Sequence, residues 1–99
     1  MHTIRLREPW EVEAGPGRVI YRRHFNRPTG LGPGDVVRLA VDDLPAGATV
    51  SFNGEPLVGG DSGWDISAQL QNRNAIVVSL AAETLPPARP FGEVRLEIL

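Results

Sequence analysis

Short segments in which apolar and polar residues alternate constrain this chain more than any other feature of its sequence. In the last of them, residues 93–99, the aliphatic residues Val94, Leu96 and Ile98 occupy every second position. A period of two places one set of side chains on a buried sheet face and the other in water, as in antiparallel sheets. The pattern therefore predicts an all-β domain.

Seven segments have this character and are predicted as strands. They are residues 3–8, 18–26, 35–41, 49–52, 55–58, 75–80 and 93–99. The intervening segments are rich in turn-forming residues: the 99-residue chain has 11 Gly and 9 Pro, well above average usage. Asn53-Gly54 is the sharpest hairpin signal, because both residues tolerate a positive φ. The sequence predicts one antiparallel β-sandwich domain spanning residues 1–99, with about seven strands.

One short helical turn is predicted over residues 66–70. Asp65 is suited to cap it, and Ile66 and Leu70 share one side at i, i+4 spacing. We expect this turn to lay two apolar residues over the open end of the sandwich. Strand parity predicts the rest of the core: Ile4, Leu6, Tyr21, Phe25, Val37, Leu39, Val41, Val50, Phe52, Ile76, Val78, Leu80, Val94 and Leu96.

Charge and composition exclude several functions. The net charge is −2, and all ten basic residues are Arg, so neither a nucleic-acid footprint nor a catalytic lysine is expected. The chain has no Cys, which excludes thiol chemistry and thiolate metal sites. No apolar run is long enough to cross a membrane or to form a signal peptide in the first twenty residues. These features favour a cytoplasmic location, while removal of an export signal stays open.

Several short motifs, taken in order, resemble a known family. Residues 21–25 read Tyr-Arg-Arg-x-Phe, and the Asn53-Gly54 hairpin follows a strand. Residues 65–70 read Asp-Ile-Ser-x-x-Leu, residues 74–78 read Asn-x-Ile-x-Val, and residues 91–98 form a closing strand. This order is similar to that of the N-terminal sugar-binding β-sandwich domain of family 2 glycoside hydrolases, the β-galactosidase and β-glucuronidase group.

The resemblance implies a jelly-roll, galactose-binding-like sandwich and a carbohydrate-binding or accessory role. The catalytic carboxylates of that family lie in a separate barrel, and nothing in this chain matches them. We therefore expect a domain that is not an enzyme, with no catalytic residue, no metal ligand set and no cofactor. The rival hypothesis is a structural or protein-interaction module that keeps the sandwich without a sugar site.

A sugar site would need an exposed aromatic face with polar neighbours. Trp64 lies in a glycine-rich segment between Asp61 and Asp65, so these three residues form the candidate ligand-binding site. The alternative for Trp64 is a lid over the core, which is the commoner role of such a residue. The partners open to the domain are a carbohydrate, a partner protein or a second copy of the chain, with no nucleic acid and no membrane.

Arg23 is the odd member of a basic cluster. Alternation places it on the same face as Tyr21 and Phe25, whereas Arg18 and Arg22 share the opposite face. A buried guanidinium without a partner is very costly. We therefore expect an Asp or Glu within reach of Arg23 if its side chain points inward.

Overall fold

The computed structural model describes residues 1–59 and 63–99 and has nine strands and one 3₁₀ turn within them. The strands are β1 (His2–Arg5), β2 (Glu11–Gly15), β3 (Arg18–Asn26), β4 (Val37–Val41), β5 (Thr49–Phe52), β6 (Glu55–Leu57), β7 (Gly63–Asp65), β8 (Arg73–Ala81) and β9 (Val94–Ile98). The 3₁₀ turn is Ser67–Gln69.

The strands form two antiparallel sheets around one core. The four-stranded sheet has the order β1-β9-β4-β7, and the five-stranded sheet has the order β2-β3-β8-β5-β6. The predicted all-β, antiparallel sandwich is confirmed at this level. Asn53 and Gly54 have φ of 50° and 85°, so the β5–β6 hairpin has the predicted turn.

Two strands, β2 and β7, were absent from the prediction. All five residues of β2 are exposed, and Val12 is its one large apolar residue, so its polar–apolar alternation is too short to predict a strand. β7 has three residues and includes Gly63, in a segment that the sequence predicts as a loop. At Gly63 a side chain would collide with the guanidinium of Arg38, which lies against its backbone. A side chain at this position would have to displace the Arg38 guanidinium, which lies at the end of a flexible and partly exposed side chain.

The core follows the predicted parity closely. The predicted core residues are all buried except Ile4 and Leu80, which are partly buried and pack against the others. Trp10, Val19, Ile66 and Phe91 complete the cluster.

The 3₁₀ turn closes one side of the core as predicted. Ile66 is completely buried, and Leu70 is partly buried against the same cluster. The carboxylate of Asp65 accepts the predicted hydrogen bond from the backbone N–H of Ser67 at 2.9 Å, although Ile66, and not Asp65, occupies the N-cap position of the turn. The Ser67 hydroxyl in turn accepts a hydrogen bond from the N–H of Val37. The turn is thereby fixed to β4.

Two asparagines tie the 3₁₀ turn to the five-stranded sheet. The Asn74 side chain is 1% exposed. Its oxygen accepts from the N–H of Gln71 at 2.8 Å and from the Asn53 amide at 3.0 Å, and its own amide donates to the carbonyl of Gln71 at 2.9 Å. The Asn53 amide also donates to the carbonyl of Gln69, and its oxygen accepts from Ala75 N–H. We call these bonds the amide network.

Candidate functional site

Trp64, the predicted stacking residue, lies on β7 at the edge of the four-stranded sheet. It pairs with Leu39, which is completely buried, so both side chains belong to the inner face. Its ring is partly buried against the core, and its indole N–H donates to the carbonyl of Gly59 at 2.9 Å. Trp64 therefore covers the edge of the core, with part of its ring accessible.

Asp65 lies on the opposite face of the same strand. It pairs with Arg38 on the outer face, because neighbouring residues of a strand point in opposite directions. Hydrogen bonds from Ser67, first from its hydroxyl and then from its backbone N–H, hold the pKa of Asp65 below its usual value, against a smaller effect of burial. The structure thus does not bring Asp65 and Trp64 together, and Asp61 lies outside the described residues.

Every aromatic side chain of the chain lies within the described residues and is at least partly buried. Trp10 and Phe91 pack edge to face with ring centroids 5.3 Å apart, and Tyr21 meets Phe91 in the same way at 5.4 Å. Phe25 and Phe52 stack at 6.0 Å. None of these five rings presents an open face to solvent, since each is at most 9% exposed.

An apolar cleft lies beside the edge strand β2. It has a volume of about 190 Å³ and is lined by Trp10, Val12, Tyr21, Leu85 and the two prolines that follow Leu85. We call this site the cleft. Val12 is 47% exposed and Leu85 is 55% exposed, so two large apolar side chains are open to solvent at one place. Burial raises the pKa of the Tyr21 phenol.

An ion pair holds the loop that forms one wall of the cleft. The guanidinium of Arg89 donates to the Glu8 carboxylate at 2.8 Å and lies over the rings of Trp10 and Phe91, at 5.5 and 5.1 Å from their centroids. The second Glu8 oxygen accepts from the backbone N–H of Trp10 at 2.8 Å. These contacts join the segment before β2 to the loop after β8 at one end of the cleft.

Trp10 carries an unsatisfied polar atom. Its indole nitrogen is buried and has no hydrogen-bond partner among residues 1–59 and 63–99. Burying such a donor costs about 1–3 kcal/mol. The aromatic cluster under the cleft is therefore stabilised by packing alone at this point, in contrast to the amide network.

A wider depression of about 560 Å³ lies next to Arg5, Arg7 and Arg89. Arg5 is paired with Glu93 at 2.8 Å, and Arg89 is paired with Glu8. The local carboxylates thus neutralise most of the positive charge. The depression lacks the concentrated charge that an anion site requires.

The outer face of the four-stranded sheet is covered by ion pairs. Glu97 accepts from Arg38 at 2.8 Å and from Arg95 at 3.2 Å, and Arg95 also reaches Asp42 at 2.8 Å. These arginines lower the pKa of Glu97, with Arg38 the larger cause, and the Asp42 carboxylate raises the pKa of Arg95. These pairs are only partly open to solvent, since the side chain of Glu97 is 14% exposed and that of Arg95 is 23% exposed. They leave few free charges for a ligand.

The Arg23 side chain differs from the prediction. It belongs to the inward set and pairs with Ile76, but it donates to the carbonyls of Arg7, at 2.9 Å, and of His24. No carboxylate lies within ion-pair reach of it in the part of the chain that the structure describes. The prediction of an Asp or Glu partner was wrong. The Arg23 side chain is only half-buried, so hydrogen bonds to two backbone carbonyls are enough to satisfy its guanidinium.

Residues 1–59 and 63–99 contain no group of three carboxylate or imidazole side chains that could hold a metal ion. His24 lies 3.5 Å from Glu11 on the outer face of the five-stranded sheet. No helix in the same residues is long and apolar enough to cross a membrane.

Comparison of the sequence with models of known protein families and with curated proteins gives no match.

Proposed function

We propose that this chain is a non-catalytic accessory β-sandwich domain that binds a partner protein through the cleft. The observation that carries the proposal is the pair of exposed apolar side chains, Val12 and Leu85, at a cleft lined in part by the largely buried Trp10 and Tyr21. Grouped apolar exposure beside aromatic walls is typical of interaction sites, where a few anchor side chains supply most of the affinity.

The finer fold type belongs to the same proposal. The chain crosses between the two sheets after every strand or hairpin from β1 to β9, which supports a jelly-roll, galactose-binding-like sandwich. The motif residues Asn53, Asp65 and Asn74 all hold the fold together through the amide network and the cap. We propose kinship with the sugar-binding domain of family 2 glycoside hydrolases on the motif order alone, at the level of fold, which leaves the ligand open.

Carbohydrate binding is the second candidate, supported by the motif order and by the partly accessible ring of Trp64. Its weakness is geometric. A sugar stacked on Trp64 would have Asp65 on the far side of the strand, and its few hydrogen bonds would replace good ones to water. Any such binding is expected to be weak.

A display library of unbiased peptides, selected on the wild-type chain, tests the proposal. Enriched binders should lose affinity for Leu85→Glu, which places a charge at the cleft, and keep it for Val58→Glu. Val58 is the matched control because it is 83% exposed and does not line the cleft. Both variants should show unchanged thermal unfolding, since each side chain is largely exposed.

Calorimetry with galactosides, glucosides, glucuronides and plant polysaccharides completes the test, with Trp64→Ala as the site variant. We expect no heat with these sugars. The carbohydrate proposal would replace the interaction proposal if the selected peptides bound Leu85→Glu as tightly as the wild type and a sugar bound the wild type but not Trp64→Ala.

A further inference from the structure

The edge strand β2 has backbone groups with no partner strand. The Gly17 carbonyl accepts from Ala82 N–H, so the odd-numbered residues of the adjoining strand β3 direct their backbone groups towards β8. The even-numbered residues of β3 therefore face β2 and bond to its odd-numbered residues, given the pairing of Tyr21 with Val12 and Ile20 with Glu13. It follows that Val12 and Ala14 direct their N–H and C=O groups away from the sheet.

This edge is the longest of the four and is not interrupted by proline. The edge strands β6 and β7 have three residues each, and β6 contains Pro56; β1 has four residues and β2 has five. Natural sheets usually shorten, cover or interrupt such edges to prevent association. A five-residue uncovered edge that adjoins an apolar cleft is suited to accept a further strand.

The two faces of β2 differ in chemistry. Val12 belongs to the inner face and lines the cleft, whereas Glu11 and Glu13 belong to the outer face and are exposed. A strand added beside β2 would alternate in the same way. Its inward side chains would enter the cleft, and its outward side chains would lie beside the two glutamates.

Charge selects the occupant. In the antiparallel registers that place Val12 opposite Val12 or Ala14 of a second copy of β2, glutamates would lie opposite glutamates, and like charges directly opposite each other are destabilising. On β3, Glu11 already has Arg22 opposite it and His24 3.5 Å away. Glu13, in contrast, lies opposite Ile20 and has no ion pair among the described residues. A basic outward side chain on the added strand would therefore pair chiefly with Glu13 and would share Glu11 with these neighbours. We propose that β2 accepts an antiparallel strand from a partner protein, an extended segment in which apolar and basic residues alternate. This inference rests on the proposed function and names the chemistry of its partner.

A labelled synthetic peptide of alternating Arg and Val, measured by fluorescence anisotropy, is the probe. Three control peptides isolate the parts of the proposal: the same residues in scrambled order, Glu in place of Arg, and N-methyl groups on alternate backbone nitrogens. We expect each change to weaken binding about tenfold or more, because it removes register, charge or ladder hydrogen bonds in turn. N-methyl groups can be placed on the odd-numbered or on the even-numbered nitrogens of the peptide. Only one of these two sets should weaken binding, since alternate N–H groups of an added strand face solvent.

The variant Glu11→Lys/Glu13→Lys should weaken the Arg peptide about tenfold and favour the Glu peptide. Glu55→Lys, on the edge strand β6, is the matched control and should leave both affinities unchanged. Hydrogen exchange of the Val12 and Ala14 amides should slow when the peptide binds. The inference would be overturned if the peptide affinity were unchanged by N-methylation in both phases and by the charge reversal. It would also be overturned if sedimentation showed a wild-type dimer that a β2 variant no longer forms.

The experiments distinguish failure of the proposed protein-binding function from failure of the proposed strand addition. If display binders depend on Leu85 while the alternating peptide does not bind, strand addition is wrong and the interaction module stands. If neither depends on the cleft, both are wrong.

Discussion

The amide network and the aromatic cluster beneath the cleft (Trp10, Tyr21 and Phe91) are both largely buried. They differ in whether their buried polar atoms have hydrogen-bond partners. Asn74 is 1% exposed, and its amide group makes hydrogen bonds through both its oxygen and its nitrogen. Trp10 is 7% exposed, and its indole nitrogen has no partner among the described residues. The network joins three chain segments by directional bonds, whereas the cluster is held by ring packing and by the Arg89 guanidinium above it.

The difference separates fold specification from ligand binding. Directional bonds to backbone groups fix the 3₁₀ turn and the hairpin in one arrangement, and all of their donors and acceptors are used within the domain. Packed rings with exposed apolar neighbours leave area that another molecule can still bury. Hydrogen bonds around Asn74 therefore help to specify the fold, and the proposed binding site lies around Trp10, where apolar area is still exposed.

The largest expected effect is at Trp10. Trp10→Ala should lower the free energy of unfolding by about 3–5 kcal/mol, because it removes a buried ring from the aromatic cluster. Trp64→Ala should cost only about 1–2 kcal/mol, since that ring is partly accessible and loses one hydrogen bond. Urea unfolding at neutral pH measures both. Equal losses would mean that the two tryptophans have the same structural role and would remove the contrast drawn above.

The next effect is at Asn74. Asn74→Ala should cost about 3 kcal/mol, because it leaves several buried partners, including the backbone of Gln71, without their bonds. Asn72→Ala is the control. Asn72 is exposed, and its replacement should change stability by less than about 0.5 kcal/mol. A loss at Asn74 no larger than that of the control would show that the amide network is dispensable.

The sequence predicts the interior strands well because each of them has one buried and one wet face. Val37, Leu39 and Val41 repeat every second residue, and the structure buries all three. β2 does alternate, as Glu11-Val12-Glu13-Ala14, but Val12 is its one large apolar residue, so the period is too short to identify a strand. Predicting it would have required knowledge that β3 needed a neighbour on that side, which is a tertiary property.

The candidate site could be predicted only in part. The sequence shows Trp64 and Asp65 as neighbours, but their separation onto opposite faces follows from β7, which the sequence did not predict. The cleft joins residues as distant as Val12 and Leu85, and neither has a local motif. The carbonyl partners of Arg23 were equally hidden, because a backbone acceptor has no signature in the side-chain sequence.

A smaller effect is expected at Arg23, which lies outside the amide network and binds the segment that leads to the aromatic cluster. Arg23→Met should cost about 1–2 kcal/mol, because it removes the hydrogen bond to the carbonyl of Arg7, next to Glu8 of the cleft. Arg22→Met, on the outer face, should change stability by less than about 0.5 kcal/mol. Thermal unfolding monitored by circular dichroism compares them. Matching, negligible losses would make Arg23 a surface charge like its neighbour.

The smallest effect is at Asp65, and it depends on pH. Asp65→Ala should cost about 1 kcal/mol at neutral pH through loss of the cap. Because Ser67 lowers the pKa of Asp65 in the folded state, this contribution is fully present above the ordinary carboxyl pKa. It is lost as the pH falls through the lowered folded value. The stability difference between the wild type and Asp65→Asn should therefore shrink in acid. NMR titration of the Asp65 carboxyl should give a midpoint below the usual range, which Ser67→Ala moves upwards. An ordinary midpoint in the wild type would mean that the cap bond contributes little, and the turn would then depend on Ile66 and the amide network alone.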